Sequence, residues 1–172
     1  WLGAAAAAIT PGHPLGYIPA AALAHMIRRI VFGGCTLGNT LEAITAEMRK
    51  TMWDLYPANP YIQRFFQLVD KAVGFSKNTL PDHVNIAALG GGWVAEETFA
   101  IALYCCLKYQ NDFSKALIVS VNHGGDSDST GAVTGNILGA RIGYEAIPKQ
   151  WKDRLELEQL IVEMGDRLGE AE

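Results

Sequence analysis

The stretch His123-Gly124-Gly125-Asp126-Ser127-Asp128-Ser129-Thr130 runs directly into Gly131-Ala132-Val133-Thr134-Gly135-Asn136-Ile137-Leu138-Gly139-Ala140-Arg141-Ile142-Gly143-Tyr144. The first part is polar and glycine-rich and reads as a loop. The second predicts a helix over about Thr130 to Tyr144. Gly131, Gly135, Gly139 and Gly143 recur every fourth residue, so a strip without side chains lies along one face of that helix. Each interior glycine costs about 1 kcal/mol against alanine. Four of them predict another backbone approaching that face, with Gly135→Leu strongly overpacked.

Helical periodicity continues outward from this segment, and alternating strand patterns are nearly absent. Ala4 to Ile9 reads as the end of a buried helix, broken by Thr10-Pro11-Gly12-His13-Pro14. Tyr17 to Phe32 predicts a core helix with Pro19 in its first turn and His25 interrupting its apolar run. Gly33-Gly34 end it. Leu37 to about Tyr56 and Tyr61 to about Phe75 follow as amphipathic helices, the second started by Pro60. Leu80 to Gly92 reads as irregular. Val94 to Tyr109 is a strong apolar helix. Asn111 or Asp112 can cap the next short one. A turn at Pro148 to Trp151 leads into a last amphipathic helix, Leu155 to Leu168. The fold class is therefore all-α, in one domain over 1–172.

Composition narrows the function classes. The chain has 172 residues, 49% of them hydrophobic, and a formal charge of −4 with scattered basic residues. That suits a packed globular fold and argues against a nucleic-acid surface. Cys35, Cys105 and Cys106 show no Cys-x-x-Cys spacing, which points to reduced thiols and a cytoplasmic location. No apolar run reaches the roughly 18 residues of a membrane span. The opening Trp1-Leu2-Gly3-Ala4 lacks a start Met and a basic signal-peptide region, and begins as if inside an element.

The chemistry concentrates at Asp126, Asp128 and Ser129. Two carboxylates one residue apart and a hydroxyl are oxygen donors that suit a hard divalent cation. Gly124 and Gly125 permit a tight loop. The following helix directs free N–H groups back at it, able to orient the carboxylates or hold a phosphate. The same residues also suit plain helix capping and an Asx turn. His123 can steady a carboxylate or touch a phosphate, or simply serve a helix end.

Two further stretches accompany this one: Gly91-Gly92-Trp93-Val94-Ala95-Glu96-Glu97 with Ala102-Leu103-Tyr104-Cys105, and Gly12-His13-Pro14-Leu15-Gly16-Tyr17. Together with Asp126-Ser127-Asp128-Ser129-Thr130-Gly131 and Ile147-Pro148-x-x-Trp151, the chain resembles the ADP-ribosylglycohydrolase family over nearly its whole length. The resemblance implies a compact, orthogonally packed all-α domain, here its carboxyl-terminal and incomplete portion. It implies two magnesium ions and hydrolysis of the bond between ADP-ribose and a protein side chain or another acceptor. Asp126, Asp128 and Ser129 match the family's late metal ligands. Gly91, Gly92 and Trp93, with His123 and Gly125, match the substrate-binding stretches, Trp93 either offering a flat apolar surface or packing as a core tryptophan at a helix start. Glycine-loop N–H groups would receive the diphosphate.

Two departures stand against that pattern. The family's early Thr-Asp-Asp cluster and its catalytic acidic residue have no counterpart here, for the chain contains no Asp-Asp pair. They are expected upstream of Trp1, and Glu96 and Glu97 are not obvious substitutes. The first histidine of the family's Thr-His-Gly-His-Pro is Pro11 here, and the remaining His13 reads as a loop histidine bonded to backbone. An alternative is a non-catalytic, crystallin-like relative that keeps the fold. The expected partner is an ADP-ribosylated protein or small ADP-ribosyl substrate, with no nucleic acid and no membrane. With the first half of the domain missing, exposed apolar helix faces would favour self-association.

Overall fold

A computed structural model describes residues 2–10, 12–33 and 40–170; Pro11, Cys35 and Leu37 lie outside the described residues. The helices are α1 (Leu2–Ala7), α2 (Pro14–Phe32), α3 (Leu41–Leu55), α4 (Pro60–Phe75), α5 (Asp82–Leu89), α6 (Ala95–Lys108), α7 (Phe113–Val121), α8 (Ser127–Ile142) and α9 (Glu158–Glu170). Two 3-10 turns, Tyr144–Ala146 and Lys149–Trp151, link the last two helices. Among the described residues there is no strand, so the all-α expectation holds.

The fold is organised around α6. Residues Phe99 to Leu107 are buried without interruption, so this helix has no solvent face beyond its ends. A helix apolar all round must be surrounded, and α2, α4, α7 and α8 do so, with α3 and α5 completing the shell. Phe65 of α4 meets Phe99 with ring centroids 5.3 Å apart. Burial pushes the Cys105 and Cys106 thiols well above their ordinary range, which makes them inert packing groups.

Local signals place the helix starts. Asn59 accepts from Tyr61 N ahead of Pro60, and Asp112 accepts from Lys115 N. His13 caps α2, its Nδ1 accepting from Leu15 N at 3.2 Å. That cap starts α2 at Pro14, so Pro19 sits inside the helix and not in its first turn. With 19 residues and a mean hydropathy of 1.2, α2 is long and apolar enough to cross a membrane. The reading of apolar runs missed it because His25, Arg28 and Arg29 are carried by the surrounding alanines and isoleucines. Here α2 packs on α1, α3, α4, α6 and α8 and buries Ile18, Ala22 and Met26.

Three expectations fail. The Leu80–Gly92 stretch is not irregular: α5 occupies most of it, burying Asn85, Ile86 and Leu89. Its start is fixed by Pro81 at the N-cap position and by Asp82, which accepts from Lys108 Nζ and Tyr109 OH, each at 2.8 Å, and from Tyr104 OH. The alanine-rich α1 is mostly exposed and buries only Ala4. The glycine strip of α8 does not receive a backbone. A Cβ on Gly135 or Gly139 would meet only Leu117 and Ile147 side chains at 3.8 and 3.9 Å, in ordinary contact. On Gly131 it would meet Val121 Cγ1 at 2.6 Å, and Gly143 takes a positive φ at the helix end. The strip thus seats side chains, Leu117 and Val121 of α7 and Ile147 of the following turn, which can shift.

Candidate metal and nucleotide site

The helix α8 begins three residues earlier than its periodicity predicts. Asp126 is the N-cap and Asp128 and Ser129 lie in the first turn, so the three oxygens sit on a helix mouth. The Asp128 carboxyl first, then the Ser129 hydroxyl and the Ser129 backbone N–H, hold the Asp126 carboxyl below the usual carboxylate range.

Behind these oxygens, Thr130 is fully buried and pins the loop. Its hydroxyl donates to Ser120 O at 2.6 Å, and His123 Nε2 lies 2.9 Å from the Thr130 hydroxyl oxygen. His123 Nδ1 accepts from Gly125 N at 3.1 Å. One ring nitrogen therefore accepts and the other donates to Thr130, which describes the neutral Nε2–H tautomer. Both nitrogens are engaged inside the loop. His123 shapes the site and has no nitrogen free for a phosphate, contrary to the expectation of substrate contact through its ring.

The glycine turn before α6 lies against this loop. Gly91 O accepts from Asp126 N at 2.8 Å. A Cβ on Gly125 would stand 1.8 Å from Gly91 O, so the close backbone approach expected of the α8 strip occurs here. Gly92 has φ +75° and rests on Thr130 Cγ2, its carbonyl accepting from Thr98 Oγ1 at 2.7 Å. Glu97 Oε2 accepts from both Gly91 N at 2.9 Å and Gly92 N at 3.1 Å. These N–H groups are thus occupied from within, and the expectation that they receive a diphosphate is not met. Sequence spacing gave no sign of Glu97's role, because its partners are reached by a chain reversal and not along a helix face.

An apolar cleft of about 480 Å³ opens beside the carboxylates, between α2, α6 and α8. Leu23, Trp93, Phe99 and Val133 line it, and Asp126 and Ser129 stand on its rim. Trp93 is 76% exposed, so it is a surface plate and not a core tryptophan. The structure therefore brings Gly91, Gly92, Trp93, His123, Gly125, Asp126, Asp128 and Ser129 into one region. It keeps His13 away as a cap, edge-on to Tyr61. Glu96 is buried toward Arg64, 3.4 Å away.

The donor set fits a hard cation in kind: two carboxylates and a hydroxyl, all oxygen. It is partial in number. Among the described residues no three His, Cys, Asp or Glu side chains gather as a metal-binding group, so water or donors from elsewhere would complete the coordination.

Comparison with known proteins gives the family. A family model described as ADP-ribosylglycohydrolase matches residues 1–172. The chain is 30% identical over 107 residues to an ADP-ribosylarginine hydrolase of Serratia proteamaculans, covering 55% of this chain and 29% of that protein. It is 32% identical over 81 residues to a mouse ADP-ribosylhydrolase, covering 41% and 22%. Over 45 residues it is 44% identical to the ADP-ribosyl-[dinitrogen reductase] glycohydrolase of Rhodospirillum rubrum, covering 26% and 15%. The matched stretches span less than a third of each of these relatives. No solved structure matches the chain.

Proposed function

The chain belongs to the ADP-ribosylglycohydrolase family, and from that membership we propose that it forms part of a magnesium-dependent hydrolase that removes ADP-ribose from a modified protein side chain. The observation that carries the reading is the meeting of Asp126, Asp128 and Ser129 at one helix mouth, beside an apolar cleft with an exposed tryptophan.

Asp126 and Asp128 would hold the cation, with Ser129 as a neutral third donor. A bound magnesium ion supplies charge to orient ribose hydroxyls and a water molecule at the glycosidic carbon. Trp93 offers its face to the adenine or ribose, and the Leu23, Phe99 and Val133 walls exclude water around it. The Thr130–His123–Gly125 bonds hold the loop so that the carboxylates need not reorganise when a cation enters.

The acceptor is proposed at the level of a class. Relatives act on ADP-ribosylarginine and on an ADP-ribosylated dinitrogen reductase, by their names. Incubating the full-length protein that carries this chain with Mg2+ and arginine-linked ADP-ribosyl protein, and measuring free ADP-ribose, tests the reading. Release that is lost in Asp126→Asn supports it. A second reading, a binding relative without turnover, is favoured by the partial donor set. ADP-ribose binding with no release on any substrate would replace the first reading with the second.

A further inference from the structure

We propose that Glu97 is a positioning residue for Asp126, acting through the single peptide group that joins Gly91 to Gly92. In a trans peptide the N–H and C=O point in opposite directions. The Gly92 N–H donates to Glu97 Oε2 at 3.1 Å, and the Gly91 C=O of the same peptide accepts from Asp126 N at 2.8 Å. Turning this plane would break both bonds. Glu97 therefore fixes the direction of the carbonyl that fixes the Asp126 amide.

The glutamate's seat is built for it. The same oxygen also accepts from Gly91 N at 2.9 Å, giving two bonds to one charged acceptor, which are stronger than neutral ones. Gly90 takes φ +131°, and a Cβ there would lie 2.3 Å from Glu97 Cδ. The carboxylate thus packs where only glycine leaves room. At the other end, Gly125 leaves the room that Gly91 O needs. Glu97 is separate from the three oxygens read as cation donors, and its part in cation binding rests on that reading; its control of the Asp126 amide does not.

The test uses the full chain and the variants Glu97→Ala and Glu97→Gln. The Gln amide oxygen can accept both glycine N–H bonds, so it keeps the geometry without the charge. Amide exchange of Asp126, followed by NMR without metal, is expected to speed up about tenfold or more in Glu97→Ala and to stay near the parent in Glu97→Gln. Mn2+ affinity is expected to fall by about 10–100-fold in Glu97→Ala, with most of it retained in Glu97→Gln. Should Glu97→Ala fail to fold, Glu97→Asp, which retracts the carboxylate by one methylene, is expected to show the same losses. Unchanged Asp126 exchange in the folded Ala or Asp variant overturns the proposal. Equal loss in Glu97→Gln also overturns it, since the charge and not the geometry would then matter. If the parent binds no Mn2+ while the exchange pattern is as expected, the cation reading fails and the positioning of Asp126 stands.

Discussion

Gly125→Ala should be among the most damaging single-methyl additions in this chain. Its Cβ would stand 1.8 Å from Gly91 O, 2.6 Å from Gly91 C and 3.0 Å from Gly91 Cα. The obstacle is backbone, held by Glu97 on one side and by Asp126 on the other, so it has no rotamer to adopt. Restoring an ordinary contact requires a shift of more than an ångström, enough to break the 2.8 Å Asp126–Gly91 bond. Overpacking costs about 1–3 kcal/mol and a lost backbone bond about 1 kcal/mol more. The expected destabilisation is therefore about 2–4 kcal/mol. Gly125 does not take a positive φ, so the effect is steric and not conformational. The neighbouring Gly124 provides the control, since a Cβ there meets nothing within 4 Å. Urea titration followed by far-UV circular dichroism should place the Gly125→Ala midpoint well below that of Gly124→Ala. Coincident midpoints would refute the close approach of the two loops.

Gly135→Ala is expected to be neutral or to stabilise by up to about 1 kcal/mol, because the nearest atom to its Cβ is Leu117 Cδ2 at 3.8 Å; a loss above about 1 kcal/mol in the same titration would restore a backbone contact on that face. Asp82→Asn should cost about 1–3 kcal/mol by leaving the buried Tyr104 hydroxyl and the Lys108 ammonium poorly paired. Burial pushes the Asp82 carboxyl up, but bonds from Lys108, Tyr104 and Tyr109 pull it below its usual value of 3.8. A lowered folded value gives stability that is present above pH 3.8 and lost as pH falls through the folded value. Denaturant midpoints measured from pH 7 to 2 should thus fall less on the acid side in Asp82→Asn than in the parent; parallel curves would contradict the pairing.

Much of the fold could be read from residue spacing because its helices bury one face each. In α3, Leu41, Ile44, Met48 and Met52 repeat at three and four and are buried, while Leu55, the next of the series, is exposed. The stop and start signals also worked where they act locally, as at Pro60 and Asp112. The α5 helix was hidden because its polar Asp82 and Asn85 are held by tertiary partners, Tyr104 and Lys108, some twenty residues away. The glycine strip of α8 misled because glycine spacing marks room without saying whether a backbone or a side chain fills it. The α9 stripe predicts a packed amphipathic helix, yet Leu160, Ile161 and Met164 are about half exposed and no residue of α9 is buried.

For the site, clustering of Asp126, Asp128 and Ser129 followed from their adjacency in the chain. The roles of His123, Thr130 and Glu97 did not, because each depends on which partner the folded backbone presents. His123 could be placed beside the carboxylates from sequence, but its engagement of Gly125 and Thr130 needed coordinates.

The central claim is that the α8 mouth is a cation site, and calorimetric titration of Mg2+ into the parent, Asp126→Ala and Asp128→Ala tests it most directly. The account predicts a binding heat in the parent that disappears in both variants while their folded circular dichroism spectra persist. Indistinguishable heats in all three proteins would contradict it.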